Sequence, residues 1–337
     1  MSDTGFDRRG FLRAAGAGTA FASLLGSAAA HAATAPAAAA AASPAAAPAA
    51  APGSGRGASA VCEWLGTSGW RVRIGDRLLL VDPYLSRYST GLFDGRGFDS
   101  ATRLTVDAAV VDEHTGGAET VLVTHSHWDH FNDVPHIAAA TGARVVGTAT
   151  TNNLALAMDV PQAQLSPVKG GEVLDFGDYT VEVVASLHSR NNNYSMPFPG
   201  VRLEPPRKRP RTIADLPEGD TLDFQVTVQG GPSLFFMGAS DFVSRNLSGL
   251  SPDVAMLAVP ATTRTHDYVP RLLEALDHPR TVVPVHWDNF EVPLANPPQQ
   301  DPTMAVTVAE FADAVRAASP GTEVLVPEYL TPYTFTR

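Results

Sequence analysis

Val121-Leu122-Val123-Thr124-His125-Ser126-His127-Trp128-Asp129-His130 decides the reading of this chain. An apolar run ends at Thr124, and four side chains able to hold a metal ion follow within six residues. Imidazole and carboxylate suit Zn²⁺ and similar ions, and a loop leaving a strand end lets alternate side chains converge on one point. A single histidine would pass as a core or cap residue. Four titratable groups packed behind one strand have no such ordinary explanation.

Three further residues share the setting, since each closes a strand-like run. His188 follows Val181–Leu187, Asp241 follows Leu234–Ser240, and His286 follows Thr281–Val285. Sites in α/β folds gather where loops leave the carboxyl ends of strands.

Strands are expected at 61–65, 70–74, 77–81, 120–124, 144–147, 180–187, 222–228, 233–237, 254–258, 281–285 and 323–326, from short apolar or alternating runs between Gly-containing turns. Helical spacing covers 134–140, 151–158, 270–275 and 306–318. No Pro/Ser linker divides residues 61–337, so one α/β domain with sheets inside and helices outside is the economical architecture. Residues 189–219, rich in Asn, Pro and basic side chains, read as a long surface loop.

The first 58 residues do not belong to that domain. Asp7-Arg8-Arg9-Gly10-Phe11-Leu12 reads as a twin-arginine export signal, with a mildly apolar stretch to Ala30 and a small-x-small cleavage site at Ala30-His31-Ala32. Gly16, Gly18, Thr19, Ser23, Gly26 and Ser27 interrupt that stretch, which argues against a spanning anchor. Residues 33–58 are largely Ala and Pro and act as a spacer. The expected division is therefore a signal over 1–32, a linker over 33–58 and one folded domain over 59–337. The export machinery is an expected partner, and the space outside the cytoplasm the expected location.

The chain carries 24 Lys+Arg against 35 Asp+Glu, and without residues 1–32 it carries 21 against 33. Such an acidic balance disfavours nucleic acid as a partner, because that binding draws on phosphate neutralisation. One cluster runs the other way, Arg207-Lys208-Arg209-Pro210-Arg211. Cys62 is the only cysteine, so no intramolecular disulfide and no Cys-rich metal site can form; a buried thiol is expected.

The run from His125 to His130 matches the H-x-H-x-D-H signature, and the sequence resembles the metallo-β-lactamase superfamily over about residues 61–330. Asp82, in Leu79-Leu80-Val81-Asp82-Pro83, resembles the family's first motif. The resemblance implies a four-layer αββα sandwich and two divalent ions, Zn²⁺ in the first instance with Mn²⁺ or Fe as alternatives. It assigns His125, His127 and His188 to one ion and Asp129, His130 and His286 to the other. By the same resemblance Asp241 is expected to bridge them and Asp82 to brace the histidine loop.

Val81-Asp82-Pro83-Tyr84 and Val283-Pro284-Val285-His286-Trp287 are most similar to the branch with the ascorbate-phosphate lactonase and the N-acyl-phosphatidylethanolamine phospholipase D. Thr67, where that branch often has Gly-His, and Ser240-Asp241-Phe242, where Gly-Asp-Thr is usual, depart from it. Such a centre implies hydrolysis of an ester, lactone or phosphodiester in a small or lipid-like substrate by a metal-bridging hydroxide. Asp129 is also a candidate proton shuttle. Asp241 stands where many true β-lactamases have a cysteine, which points away from antibiotic breakdown. A redox member of the same fold and a non-catalytic metal-bearing binding protein are the alternatives. His266 and Tyr268 are candidate catalytic or substrate contacts, and Asn191–Tyr194 a candidate contact or turn. His114, His136 and His278 read as structural.

Overall fold

The computed structural model describes residues 58–260 and 264–337. The expected signal and almost all of the expected linker lie outside the described residues.

Two seven-stranded sheets carry the domain. In the first, β1 (Ser59–Gly66), β2 (Gly69–Ile74) and β3 (Arg77–Val81) form an antiparallel meander. Parallel strands β4 (Thr120–Leu122), β5 (Arg144–Gly147) and β6 (Leu165–Pro167) then extend it. Parallel neighbours need crossovers, and helices supply them. These are α1 (Ala108–Thr115), α2 (Trp128–Phe131), α3 (Val134–Thr141) and α4 (Ala149–Ala157).

The second sheet repeats the plan. Strands β7 (Val173–Asp175), β8 (Tyr179–Ser186), β9 (Thr221–Val228) and β10 (Ser233–Met237) pair antiparallel. Strands β11 (Val254–Ala258), β12 (Thr281–Val285) and β13 (Glu323–Val324) follow in parallel, with α5 (Tyr268–Ala275) and α6 (Val308–Ala318) between them. A last strand, β14 (Pro332–Thr336), returns to pair with β1. This is the αββα sandwich.

The apolar runs follow from burial on both faces of a strand. In β3, Leu79 and Val81 face the core between the sheets, while Leu78 and Leu80 face the helices of the first layer. Leu122 and its neighbours Val121 and Val123 divide in the same way. Cys62 is buried in the inter-sheet core, as a small apolar group would be.

Backbone bonds tie the two sheets together where β4 ends. Leu222 N–H donates to the Thr124 carbonyl at 2.8 Å, and Ser126 N–H donates to the Glu218 carbonyl at 3.0 Å. Gly238 makes the approach feasible: a Cβ there would lie 2.0 Å from Thr124 Oγ1. The ends of β3, β4, β8, β10 and β12 thus meet along one edge of the sandwich.

Candidate metal centre

The histidine loop starts where β4 runs out. His127 caps α2, a single turn that carries Trp128, Asp129 and His130. His125, His127, Asp129 and His130 are all buried. His188 arrives two residues beyond β8 and His286 one beyond β12, both half-buried. Donor atoms of His125, His127 and His188 lie within 4.8 Å of one another, as do those of Asp129, His130 and His286. Asp129 Oδ2 stands 3.5 Å from His130 Nε2 and 3.3 Å from His286 Nε2.

Neighbours fix which ring nitrogen is left to bind. Thr124 Oγ1 donates its one proton to Asp82 Oδ2 at 2.5 Å, so it accepts from His125 Nδ1 at 3.2 Å. His130 Nδ1 donates to Asp82 Oδ2 at 2.8 Å. In the same way His188 Nδ1 donates to the Ser189 carbonyl at 2.9 Å, and His127 Nε2 to the Pro197 carbonyl at 3.0 Å. A lone pair therefore remains on Nε2 of His125, His130 and His188 and on Nδ1 of His127. His125 Nε2 and His130 Nε2 are buried and have no hydrogen-bond partner among the described residues. A buried polar atom without a partner is costly, and a metal ion removes that cost. The donor set fits two divalent ions, one for each group.

Burial keeps the first group neutral. It pushes His125 well below its ordinary value, His127 down to about 4 and His188 down to about 3, with neighbouring imidazoles adding to the effect. For Asp129 burial works towards the neutral acid, but His130 and His286 overcome it and hold the carboxylate ionised. Burial lowers His286 as well, but its bond to Asp129 together with the charges of Asp129 and Asp288 outweighs burial and moves the ring upward.

Backbone conformation is unusual at three bracing points. Thr67, Asp82 and His286 have φ of 52°, 40° and 57°. Such non-glycine conformations cost energy and persist where surroundings enforce them. Here the His286 N–H donates to the Thr67 carbonyl at 2.8 Å, and the Thr67 N–H to Asp288 Oδ1 at 2.9 Å. Arg87 Nη2 then donates to Asp288 Oδ2 at 2.8 Å, fully buried. The Arg87–Asp288 pair had no motif to reveal it; the one signal was an aspartate two residues after a ligand. Phe198, Trp128 and Phe290 form an aromatic wall from one group to the other. Ring centroids lie 6.2 Å apart for His127–Phe198 and 5.6 Å apart for His286–Phe290. A cavity of about 460 Å³ opens beside His188, with Arg190, Glu218 and Asp220 on its walls.

Not every expected residue joins the centre. Asp241 belongs to neither group: its Oδ1 accepts from the Phe242 N–H at 2.9 Å, while its main chain pairs with Leu187 beside His188. His266 is 84 % exposed at its side chain and faces Asp267 at 3.1 Å, outside both groups. The Tyr268 hydroxyl is buried and committed to the Ala258 carbonyl at 2.7 Å, because the ring caps the core beneath α5. Asn191 Oδ1 accepts from the N–H groups of Asn193 and Ser195, which is the turn role. His136 and His278 pair with Asp112 and Ser319, away from the centre.

The family described as "Beta-lactamase superfamily domain" matches residues 77–288. A protein of Methylocella silvestris named "UPF0173 metal-dependent hydrolase" is 26% identical over 54% of this chain, and the match spans 63% of that protein. One of the same name from Pyrobaculum calidifontis is 27% identical over 71% of this chain and 87% of its own. The structure of a metallo hydrolase from Ignicoccus hospitalis aligns with a TM-score of 0.50 at 19% identity, covering 82% of this chain and 98% of that one, and so shares the fold.

The depressed histidines predict how the metal-free protein responds to acid. Below the ordinary 6.5, the unfolded chain takes up protons that folded His125, His127 and His188 refuse, so stability falls as pH falls. His286 and the buried carboxyls that desolvation raises, Asp133, Asp223, Asp241 and Asp301, oppose this, so the histidine share is read against a variant. The melting temperature of chelator-treated protein should drop from pH 7 to pH 4.5, and less so when His127 and His188 are both glutamine. A melting temperature that rises over that window would contradict the assignment.

Proposed function

The chain belongs to the beta-lactamase superfamily, and on that premise we propose that it is a metal-dependent hydrolase of an ester, lactone or phosphodiester bond that works outside the cytoplasm. The observation that carries this reading is the pair of three-donor groups, with four of five imidazole tautomers set by a neighbouring acceptor. When bound, divalent ions at the two groups supply the Lewis acidity that such a cleavage uses. The protein's own part is to hold the donors neutral or ionised as each requires. The aromatic wall of Phe198, Trp128 and Phe290 flanks both groups and gives the reacting end of a substrate an apolar surface. Asp129, ionised between His130 and His286, is the residue of this chain placed to hold or pass a proton at its Oδ2.

Kinetics on a carboxylic ester, a lactone, a phosphodiester and a penicillin, with one zinc-loaded preparation, test the proposal. One of the first three should exceed the penicillin in kcat/KM by at least about tenfold, roughly 1.4 kcal/mol in the barrier. Chelation should abolish turnover. A penicillin preferred by that factor would overturn the substrate assignment, and oxygen uptake during turnover would move the site to redox chemistry.

The Arg8-Arg9 pair and Ala30-His31-Ala32 motivate the location. Changing both arginines to lysine should retain the chain in the cytoplasm; normal secretion of that variant would refute twin-arginine export.

A further inference from the structure

The basic stretch that the hydrolase reading leaves unused builds a cavity of its own. About 610 Å³ in volume, it is lined by Arg202, Lys208, Arg209 and Arg211, with Asp215 the one acid among its lining residues. None of the six metal-facing residues lines it. Asp215 is already committed, since its Oδ2 accepts from the N–H groups of Arg211 and Thr212 and from the Thr212 hydroxyl. Arg209 pairs with Asp159. The side chains of Arg202, Lys208 and Arg211 make no hydrogen bond or ion pair among the described residues.

A merely solvated charge run has no need of a fixed frame, and this one has several fastenings. The Leu104 N–H donates to the Arg211 carbonyl at 2.9 Å, and the Arg202 N–H donates to Thr150 Oγ1 at 2.9 Å. Pro206 and Pro210 restrict the backbone between them. Three cations without a hydrogen bond or close ion pair among the described residues, Arg202 alone of them near enough to Asp215 to stabilise its carboxylate, are thus held around one concavity in a chain of net charge −11. Guanidinium forks and an ammonium match phosphate oxygens, and charge-assisted bonds of that kind are the strong ones.

We infer that this cavity is a binding site for a phosphate-bearing group, separate from the metal centre. A soluble phosphomonoester and an anionic lipid headgroup share that chemistry. Leu203, next to Arg202, is the most exposed large apolar side chain among the described residues, at 84 %. An apolar side chain beside a polybasic segment is the pairing that a bilayer surface accepts.

The test uses the zinc-loaded full chain and the triple variant Arg202→Ala, Lys208→Ala, Arg211→Ala. Glycerol 3-phosphate is titrated calorimetrically, and sedimentation with phosphatidylglycerol vesicles is compared with phosphatidylcholine vesicles. The wild-type protein should bind one of the two phosphate sources at least about tenfold more tightly than the triple variant. Binding should also weaken from about 50 to about 200 mM salt. Glycerol 3-phosphate binding assigns a soluble ligand, and binding to phosphatidylglycerol vesicles alone assigns a headgroup. Arg202→Lys with Arg211→Lys, which keeps the charge but loses the forks, should fall between the two proteins. The substituted side chains are all exposed, so an unchanged melting temperature excludes misfolding. Equal binding by wild type and triple variant, or none by either, would overturn the inference. Neither readout depends on hydrolysis, so failure here leaves the hydrolase reading standing.

Discussion

The centre depends on one carboxylate. Asp82 is completely buried, and every bond its side chain makes is directed at the histidine loop. Oδ1 accepts from the Thr124 N–H at 2.7 Å, and Oδ2 accepts from the Thr124 hydroxyl and from His130 Nδ1. Its own N–H donates to the Leu122 carbonyl at 2.9 Å, which extends the β3–β4 pairing by one step. Through His130 it orients the second donor group directly. Through Thr124 it sets the His125 tautomer in the first. Outer partners of this kind raise ligand basicity and fix ring direction, at about 10–100-fold in metal affinity when removed. The left-handed backbone at Asp82 is the local cost of aiming one side chain at two targets.

Around that brace the electrostatics divide the two groups. The first is all imidazole, and burial, with the neighbouring imidazoles adding to it, keeps it unprotonated and ready to donate. The second mixes a carboxylate with two imidazoles, so Asp129 stays ionised at the expense of raising His286. The two sheets contribute unequally to each. His125, His127, Asp129 and His130 come from one loop of the first sheet, while His188 and His286 come from separate strand ends of the second. Both groups therefore exist only when the sheets are packed, and the Gly238–Thr124 approach is what brings those strand ends together.

The residues most legible in the sequence were those whose chemistry is local. Four donors in six residues announce themselves, and apolar runs before His188 and His286 mark strand ends by simple patterning. What stayed hidden depends on distant partners. Strands β6, β7 and β14 are short edge elements with mixed burial, and β14 gains its register only from β1. Helix α1 has no clear apolar stripe and is started by Asp107, whose side chain accepts from the Val110 N–H. The loop over 189–219 was recognisable as a loop, but nothing in it foretold that the Pro197 carbonyl would fix His127. Asp241 and His266 show the reverse: the strand-end aspartate stands beside His188 but outside the two three-donor groups, and the helix-preceding histidine is turned to solvent.

Metal content by elemental analysis, on fully loaded protein and on two variants, tests the central claim most directly. Two equivalents per chain are expected for the unmodified protein. His127→Ala should retain one, held by Asp129, His130 and His286, and His286→Ala should retain one, held by His125, His127 and His188. A single equivalent in the unmodified protein, or complete loss of metal from both variants, would contradict two separately built donor groups.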